Sequence, residues 1–260
     1  MTMKQLFFRL KRNRKLLSAL SLMGITVMLF ALVWAPAAVS AAVTKRALPV
    51  YSVERDGKYC ALTFDAAWGN EDTEKLIEIL GSYDIKATFF VVGQWVDKYP
   101  ESVKALHDAG HEVMNHSDTH PHMSQMNSSG IITELNACSS KIEAVTGEKP
   151  TLFRCPYGEY DDNVIGTVNG MGMTGIQWDV DSLDWKDYDA KTITQRVLSR
   201  VQPGSIILFH NAALHTPEAL PGIIESLLSD GYKIVKVSEL ILSGNTTIDN
   251  NGRQHSAPAA

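Results

Sequence analysis

Short β-rich runs alternate with helical patterns through the middle of this chain, and that alternation constrains its fold more than any other feature. Strands are predicted at residues 59–64, 86–91, 111–115, 151–154, 173–178, 205–209 and 232–237. Helices are predicted between them, at 72–82, 100–109, 129–146, 162–169, 190–201 and 218–229. Because each helix joins one strand to the next, the strands are expected to run parallel. The α/β pattern alone permits a distorted barrel of seven β/α units, complete or incomplete, or an open doubly wound sheet.

The N-terminus has the pattern of an export signal. Residues 4–15 carry six Lys and Arg residues without an acidic one, and residues 16–43 carry no charge. A basic flank followed by an apolar run keeps its positive end in the cytoplasm. Residues 1–43 are therefore either an uncleaved membrane anchor or a signal peptide cleaved near Ala41. Both alternatives place the rest of the chain outside the cytoplasm, anchored in the membrane or secreted.

The remaining sequence divides into three parts. Residues 44–57 are expected to be a linker, 58–242 a single domain, and 243–260, rich in Asn, Ser, Thr, Gly and Pro, a disordered tail. The formal net charge of −5 offers no basic surplus for binding nucleic acid. The three cysteines are too few for a disulfide framework.

Polar residues of the types that act as acids, bases or metal ligands lie at the ends of five predicted strands. They are Asp65, His116 with His120, Arg154, the three aspartates at 179, 181 and 184, and His210. The carboxyl ends of parallel strands lie at one face of a barrel, which is where such barrels carry their active sites. This placement favours the barrel and predicts one shared site.

Five segments carry a family resemblance when they are taken together. Residues 63–65, 116–120, 154–158, 181–185 and 208–210, in that order, resemble the motifs of polysaccharide deacetylases with a NodB-homology domain. The resemblance covers nearly all of residues 58–242 and implies a distorted β/α barrel. It also implies a hydrolase that removes acetyl groups from chitin-like glycans, peptidoglycan or xylan with a divalent metal, most often zinc. The stretch 64–69 looks most like the sporulation-associated and clostridial members.

The resemblance assigns the catalytic machinery to four residues. Asp65 is expected to be the general base and Arg154 the group that orients it by ion pairing. His210 is expected to be the general acid, since imidazole titrates near neutral pH. A carboxylate beside His210 would raise its pKa and fix its tautomer. Asp184 is the family-based candidate, and Asp181 is the alternative.

The same resemblance assigns metal and substrate contacts. His116 and His120 are expected to ligate the metal, because imidazole nitrogens suit zinc. Trp185 and Leu208 are expected to line an apolar slot for the acetyl methyl group. The backbone N–H of Tyr157 is expected to stabilise the tetrahedral oxyanion.

One position departs from the family pattern. A second aspartate usually follows the base and completes an Asp-His-His metal site, whereas this chain has Ala66 there. Three outcomes are open: Glu71 or Asp72 reaches the metal instead, water fills the gap and binding weakens, or the metal is lost. A retained metal is favoured, because the other expected groups are all present.

The leading functional hypothesis is a metal-dependent N-deacetylase acting on peptidoglycan or a chitin-like polymer. Two alternatives use the same scaffold. One is an O-acetyl esterase acting on glycans, and the other is a non-catalytic glycan-binding protein with an impaired metal site.

Overall fold

The computed structural model describes residues 2–5, 7–8, 23 and 46–257. The chain divides into two compact units, residues 1–46 and 47–260. Apart from a few isolated positions, the predicted signal or anchor at 1–43 lies outside the described residues. Among those that are described, no helix has both the length and the apolar character that a bilayer span requires.

Strands within 46–257 join into one sheet. They are β1 Ser52–Val53, β2 Tyr59–Ala66, β3 Thr88–Val91, β4 Glu112–Asn115, β5 Leu152–Phe153, β6 Thr174–Gly175, β7 Val180–Asp181, β8 Ser205–His210, β9 Lys233–Ile234, β10 Thr246–Ile248 and β11 Arg253–Ser256. All seven predicted strands are present, most of them shorter than expected, and β1, β7, β10 and β11 are additions.

Helices cover the sheet. They are α1 Thr73–Ser82, α2 Gly93–Lys98, α3 Pro100–Asp108, α4 Ser128–Thr146, α5 Asp162–Gly170, α6 Ala190–Leu198, α7 Thr216–Ser229 and α8 Val237–Leu240. The six predicted helices correspond to α1 and α3–α7, with ends within three residues of those expected. Side-chain caps begin three of them, since Asn127, Asp161 and Asp189 accept backbone N–H bonds at the starts of α4, α5 and α6.

Seven of the strands run parallel in the order β7, β8, β2, β3, β4, β5, β6. Their carboxyl ends therefore lie at one side of the sheet. Strand β9 pairs in parallel with the start of β2, and β1 and β10 add antiparallel pairs. The result is an α/β fold whose curled, mixed sheet forms a half-barrel, which confirms the predicted distorted barrel.

The predicted linker and tail are both wrong in part. Val50 forms a parallel bridge with Ile176, and Ser52 pairs with Ser205 of β8, so the end of the supposed linker belongs to the sheet. The supposed tail forms the β10–β11 hairpin, whose second strand pairs in parallel with β1. The sequence predicted a linker for the first segment and a disordered tail for the second, which is rich in Asn, Ser, Thr, Gly and Pro. Their backbone groups are nevertheless satisfied by pairing with a distant strand edge, which local composition does not reveal.

Side chains along β2 alternate between the two faces of the sheet, and this alternation sets the directions of Asp65 and Ala66. Leu62, Phe64 and Ala66 belong to a buried cluster that also contains helical residues of α1, α3 and α7. Ala61 belongs to a second cluster on the opposite face of the sheet. Because successive strand residues point to opposite faces, Asp65 and Ala66 point in different directions.

The three cysteines are buried free thiols. Burial raises the pKa of Cys60, Cys138 and Cys155 to about 12 in each case. Thiols with such pKa values are not nucleophilic near neutral pH. The position of Cys155 beside Arg154 thus indicates packing and gives no support to redox chemistry.

Candidate active site

One cavity of about 380 Å³ lies at the carboxyl ends of the parallel strands. Its lining includes all the predicted metal and substrate residues, and both Asp65 and His210. The full lining is Asp65, Ala67, Trp68, His116, His120, Tyr157, Gly158, Trp178, Asp181, Trp185, Leu208 and His210. The other two predicted residues, Arg154 and Asp184, are fully buried, one bonded to Asp65 and the other to His210.

Asp65 and Arg154 form a buried ion pair. The guanidinium Nη1 of Arg154 donates to Asp65 Oδ1 at 2.8 Å. Burial alone would raise the pKa of Asp65, but the charge of Arg154, aided by His116 and His210, holds that pKa below its ordinary value. The carboxylate is therefore ionised near neutral pH and can accept a proton.

Arg154 is held rigidly by its surroundings. Its Nη1 also donates to Thr63 Oγ1 at 2.9 Å, and its Nη2 donates to the carbonyl of Gln177 at 3.1 Å. The guanidinium carbon lies 4.2 Å from the centroid of the Phe90 ring. The guanidinium therefore fixes the orientation of the Asp65 carboxylate.

Arg154 also orients the imidazole of His116. His116 Nδ1 lies 2.8 Å from the backbone carbonyl oxygen of Arg154, so this nitrogen donates. That tautomer leaves a lone pair on Nε2, which lies 3.6 Å from Asp65 Oδ2. A ligating histidine in proteins is usually oriented in this way by a bond from its other ring nitrogen.

His120 lies beside His116, with ring centroids 5.0 Å apart. Burial lowers the pKa of His116, and burial together with His116 lowers the pKa of His120 to about 4. Both rings are therefore neutral near neutral pH, which is the state that binds metal. This pair fits two positions of a zinc site.

Among the residues that the structure describes, none joins the two imidazoles as a third protein ligand. The methyl group of Ala66 is buried in the cluster between the sheet and the helices, and Ala66 does not line the cavity. Glu71 and Asp72, the substitutes that the sequence left open, do not line the cavity. Asp72 instead accepts the Ala212 N–H at 2.8 Å, and Glu71 lines a neighbouring groove. Within the described ranges, no group of three or more His, Cys, Asp or Glu residues is placed to hold a metal.

His210, at the end of β8, forms a second hydrogen-bonded pair with Asp184, which lies in the segment after β7. His210 Nδ1 lies 2.8 Å from Asp184 Oδ1, and the His210 backbone N–H donates to Oδ2 at 2.8 Å. Thr216 Oγ1 donates to the same Oδ2 at 2.7 Å. The alternative partner, Asp181, accepts the backbone N–H of Leu183 instead. Of the two candidates, the structure therefore places Asp184 on His210.

Aromatic rings form the exposed wall of the cavity. Tyr157 and Trp185 are 57% and 53% exposed, whereas Leu208 is buried deeper in the cavity. Trp68, at 57% exposed, packs with its ring centroid 6.0 Å from that of His210. Sequence reasoning did not single out Trp68, although its position three residues after Asp65 was a usable signal. Trp178 is partly buried and also lines the cavity.

Comparison with known proteins identifies the family. The family model for polysaccharide deacetylases matches residues 52–176. A peptidoglycan-N-acetylglucosamine deacetylase of Bacillus cereus is 33% identical over 69% of this chain and 67% of its own length. The chain belongs to the polysaccharide deacetylase family.

Other members of the family are similar over part of their length. The peptidoglycan-N-acetylmuramic acid deacetylase PdaC of Bacillus subtilis is 36% identical over 73% of this chain, but the chain spans only 40% of PdaC. Among solved structures, a CE4 family pseudoenzyme from Bacillus anthracis is 38% identical, with a TM-score of 0.72 over 75% of this chain and 69% of that one. A mutant of that pseudoenzyme with restored enzymatic activity has the same TM-score.

In this family member the pKa of His210 depends on Asp184. Burial by itself would lower the pKa of His210, but the hydrogen bond and charge of Asp184 hold it above its ordinary value. A raised pKa means that His210 stabilises the fold fully below its unfolded pKa, near 6.5. That contribution is lost as the pH rises through the folded pKa.

Asp184→Asn is therefore expected to lower the pKa of His210 below about 6.5, because burial then acts without the carboxylate. The measurement is an NMR titration of the His210 Cε1 proton in both proteins. Asp179→Asn is the control, because that aspartate bonds Ser205 and the backbone of Ile206 instead. An unchanged His210 titration in Asp184→Asn would contradict the assignment.

Proposed function

We propose that this chain is an extracytoplasmic hydrolase that removes N-acetyl groups from peptidoglycan glycan strands, with zinc as its metal. The observation that carries the proposal is that Asp65 and His210 line one cavity, each bonded to a buried partner of opposite charge, Arg154 and Asp184 respectively. Relatives named as peptidoglycan deacetylases support the choice of polymer.

Each pair supplies half of the proton transfer that amide hydrolysis needs. Asp65, ionised and held by Arg154, takes a proton from the attacking water. His210, protonated with the help of Asp184, donates a proton to the departing amine. A divalent metal held by His116 and His120 would supply Lewis acidity toward the acetyl carbonyl.

The remaining wall of the cavity binds the substrate. The backbone N–H of Tyr157 donates to the oxyanion that forms at the acetyl carbon. Trp185 and Leu208 form the apolar slot for the acetyl methyl group. The exposed ring of Trp68 offers a stacking surface for a sugar beside His210.

Localisation follows from the N-terminal sequence. The basic flank and apolar run at 4–43 export the domain and place it on the side of the membrane where peptidoglycan lies. Whether this segment anchors the chain or is cleaved is decided by N-terminal sequencing of the protein recovered from cells. Membership of the sporulation-associated and clostridial branch, indicated by residues 64–69, stays a prediction.

Asp65→Asn is expected to reduce acetate release by about 10²–10⁴-fold, since it removes the base but keeps the shape of the side chain. The assay measures acetate released from peptidoglycan and from N-acetylglucosamine oligomers in the presence of zinc. Asp108→Asn on the surface of α3 is the matched control and should retain activity. If the wild type releases acetate and Asp65→Asn retains that activity, the assignment of Asp65 as the base is refuted.

A second function is favoured by Ala66 and by the similarity to a pseudoenzyme. In that case the chain binds acetylated glycan without hydrolysing it. Titration calorimetry with N-acetylglucosamine oligomers then shows saccharide binding, while no acetate is released at any zinc concentration. Acetate release that is abolished by chelator excludes this alternative.

A further inference from the structure

The loop between the two imidazoles is held in an unfavourable backbone conformation. Ser117 and His120 have φ values of 69° and 57°, in the left-handed region that non-glycine residues rarely adopt. Such residues persist only where surrounding structure fixes them. Because His120 is itself one of the two, the direction of its ring depends on whatever holds this loop.

Glu134, in the middle of α4, bonds the centre of this loop. Its Oε2 accepts the backbone N–H groups of Asp118 at 2.9 Å and Thr119 at 2.8 Å. Its Oε1 accepts the hydroxyl of Thr119 at 2.8 Å. One carboxylate therefore satisfies three donors between His116 and His120, and hydrogen bonds to an ionised acceptor are stronger than neutral ones.

The ends of the loop have separate supports. Asn115 Oδ1 accepts the Ser117 N–H at 2.8 Å, and Lys141 binds the Asp118 carboxylate at 2.6 Å. The backbone N–H of Gly93, at the start of α2, donates to the Ser117 carbonyl at 2.9 Å. These contacts fix the loop on its β4 and α2 sides, whereas Glu134 fixes the turn that leads into His120.

We propose that Glu134 is a positioning residue that sets the relative orientation of the His116 and His120 rings. It touches neither ring and acts through the backbone of the turn between them. The consequence for zinc rests on the proposed function, whereas the consequence for ring geometry does not.

The test compares Glu134→Gln with Glu143→Gln, an exposed position on the same helix. A glutamine keeps the shape but has one acceptor oxygen, and its NH₂ group faces donors. Three readouts are measured: exchange of the Asp118 and Thr119 amides, the NOE between the ring protons of His116 and His120, and zinc affinity. Zinc affinity is also measured in an Ala66→Asp background.

Glu134→Gln is expected to speed exchange of both amides, to weaken the NOE and to lower zinc affinity about 10-fold. Thr119→Val, which removes only the hydroxyl bond, is expected to move the same readouts by less. Glu143→Gln should leave all three unchanged.

Two results overturn the inference: an unchanged NOE in Glu134→Gln, or faster amide exchange with zinc affinity unchanged in a protein that binds zinc. If neither the wild type nor Ala66→Asp binds zinc, the metal part of the proposed function fails. The NOE and amide exchange then decide the role of Glu134 by themselves.

Discussion

Ala66→Asp is expected to raise the affinity for zinc at least about 10-fold and to make the stability of the fold depend on zinc. Catalytic zinc sites hold the metal with three protein ligands, and this chain presents two imidazoles. Ala66 pairs with Val91, which in turn pairs with Asn115, the residue before His116. Position 66 is therefore level with the imidazole loop along the sheet. Because its side chain points into the buried cluster, a carboxylate there must turn around the end of β2 to reach the two imidazoles.

The same variant is expected to be less stable without metal. Position 66 is fully buried, so an unpaired carboxylate there is expected to cost about 3–5 kcal/mol. Zinc restores this stability because it binds the folded state. The measurements are isothermal titration with zinc and thermal unfolding with and without zinc, together with acetate release.

Ala66→Asn is the matched control for that experiment, since it has nearly the same shape but lacks the charge. It should lose about 1–3 kcal/mol of stability, the cost of burying an unpaired amide, without the gain in zinc affinity. If Ala66→Asp unfolds at a temperature that zinc does not change, the native site is not short of this ligand.

Arg154→Met is expected to destabilise the fold by about 3–5 kcal/mol, because it leaves the buried Asp65 carboxylate without its partner. In a domain of this size, that corresponds to a fall in Tm of roughly 6–20 °C. In the wild type, the lowered pKa of Asp65 gives stability that is present above its unfolded pKa and lost as the pH falls through the folded one. In Arg154→Met this pH dependence is expected to reverse, because burial then raises the pKa of Asp65. The contribution of Asp65 to stability is then lost as the pH rises through the folded pKa.

Thermal and urea unfolding at several pH values measure this effect. The double variant Asp65→Asn with Arg154→Met removes both charges and should be more stable than Arg154→Met alone above pH 6. Additive losses in the two single variants would contradict the coupling. Activity should fall in Arg154→Met as well, because the base loses its orientation.

The sequence by itself determined that the strands run parallel and which residues form most of the site. Parallel strands share one end of a sheet, so residues that follow different strands, such as Asp65, His116 and His210, converge without any knowledge of the loops between them. The helix boundaries were predictable because caps and apolar spacing are local signals. The absence of a ligating atom at Ala66 could also be read directly.

Only the tertiary structure decided which distant groups touch. It placed Asp184 on His210, excluded Glu71 and Asp72 from the cavity, and placed Glu134 against the imidazole loop. It also recruited residues 50–53 and 246–256 into the sheet, where the sequence indicated a linker and a tail. The physical reason is common to all of these. Hydrogen bonds between segments far apart in the chain depend on the register and curvature of the sheet, which no local pattern of residues encodes.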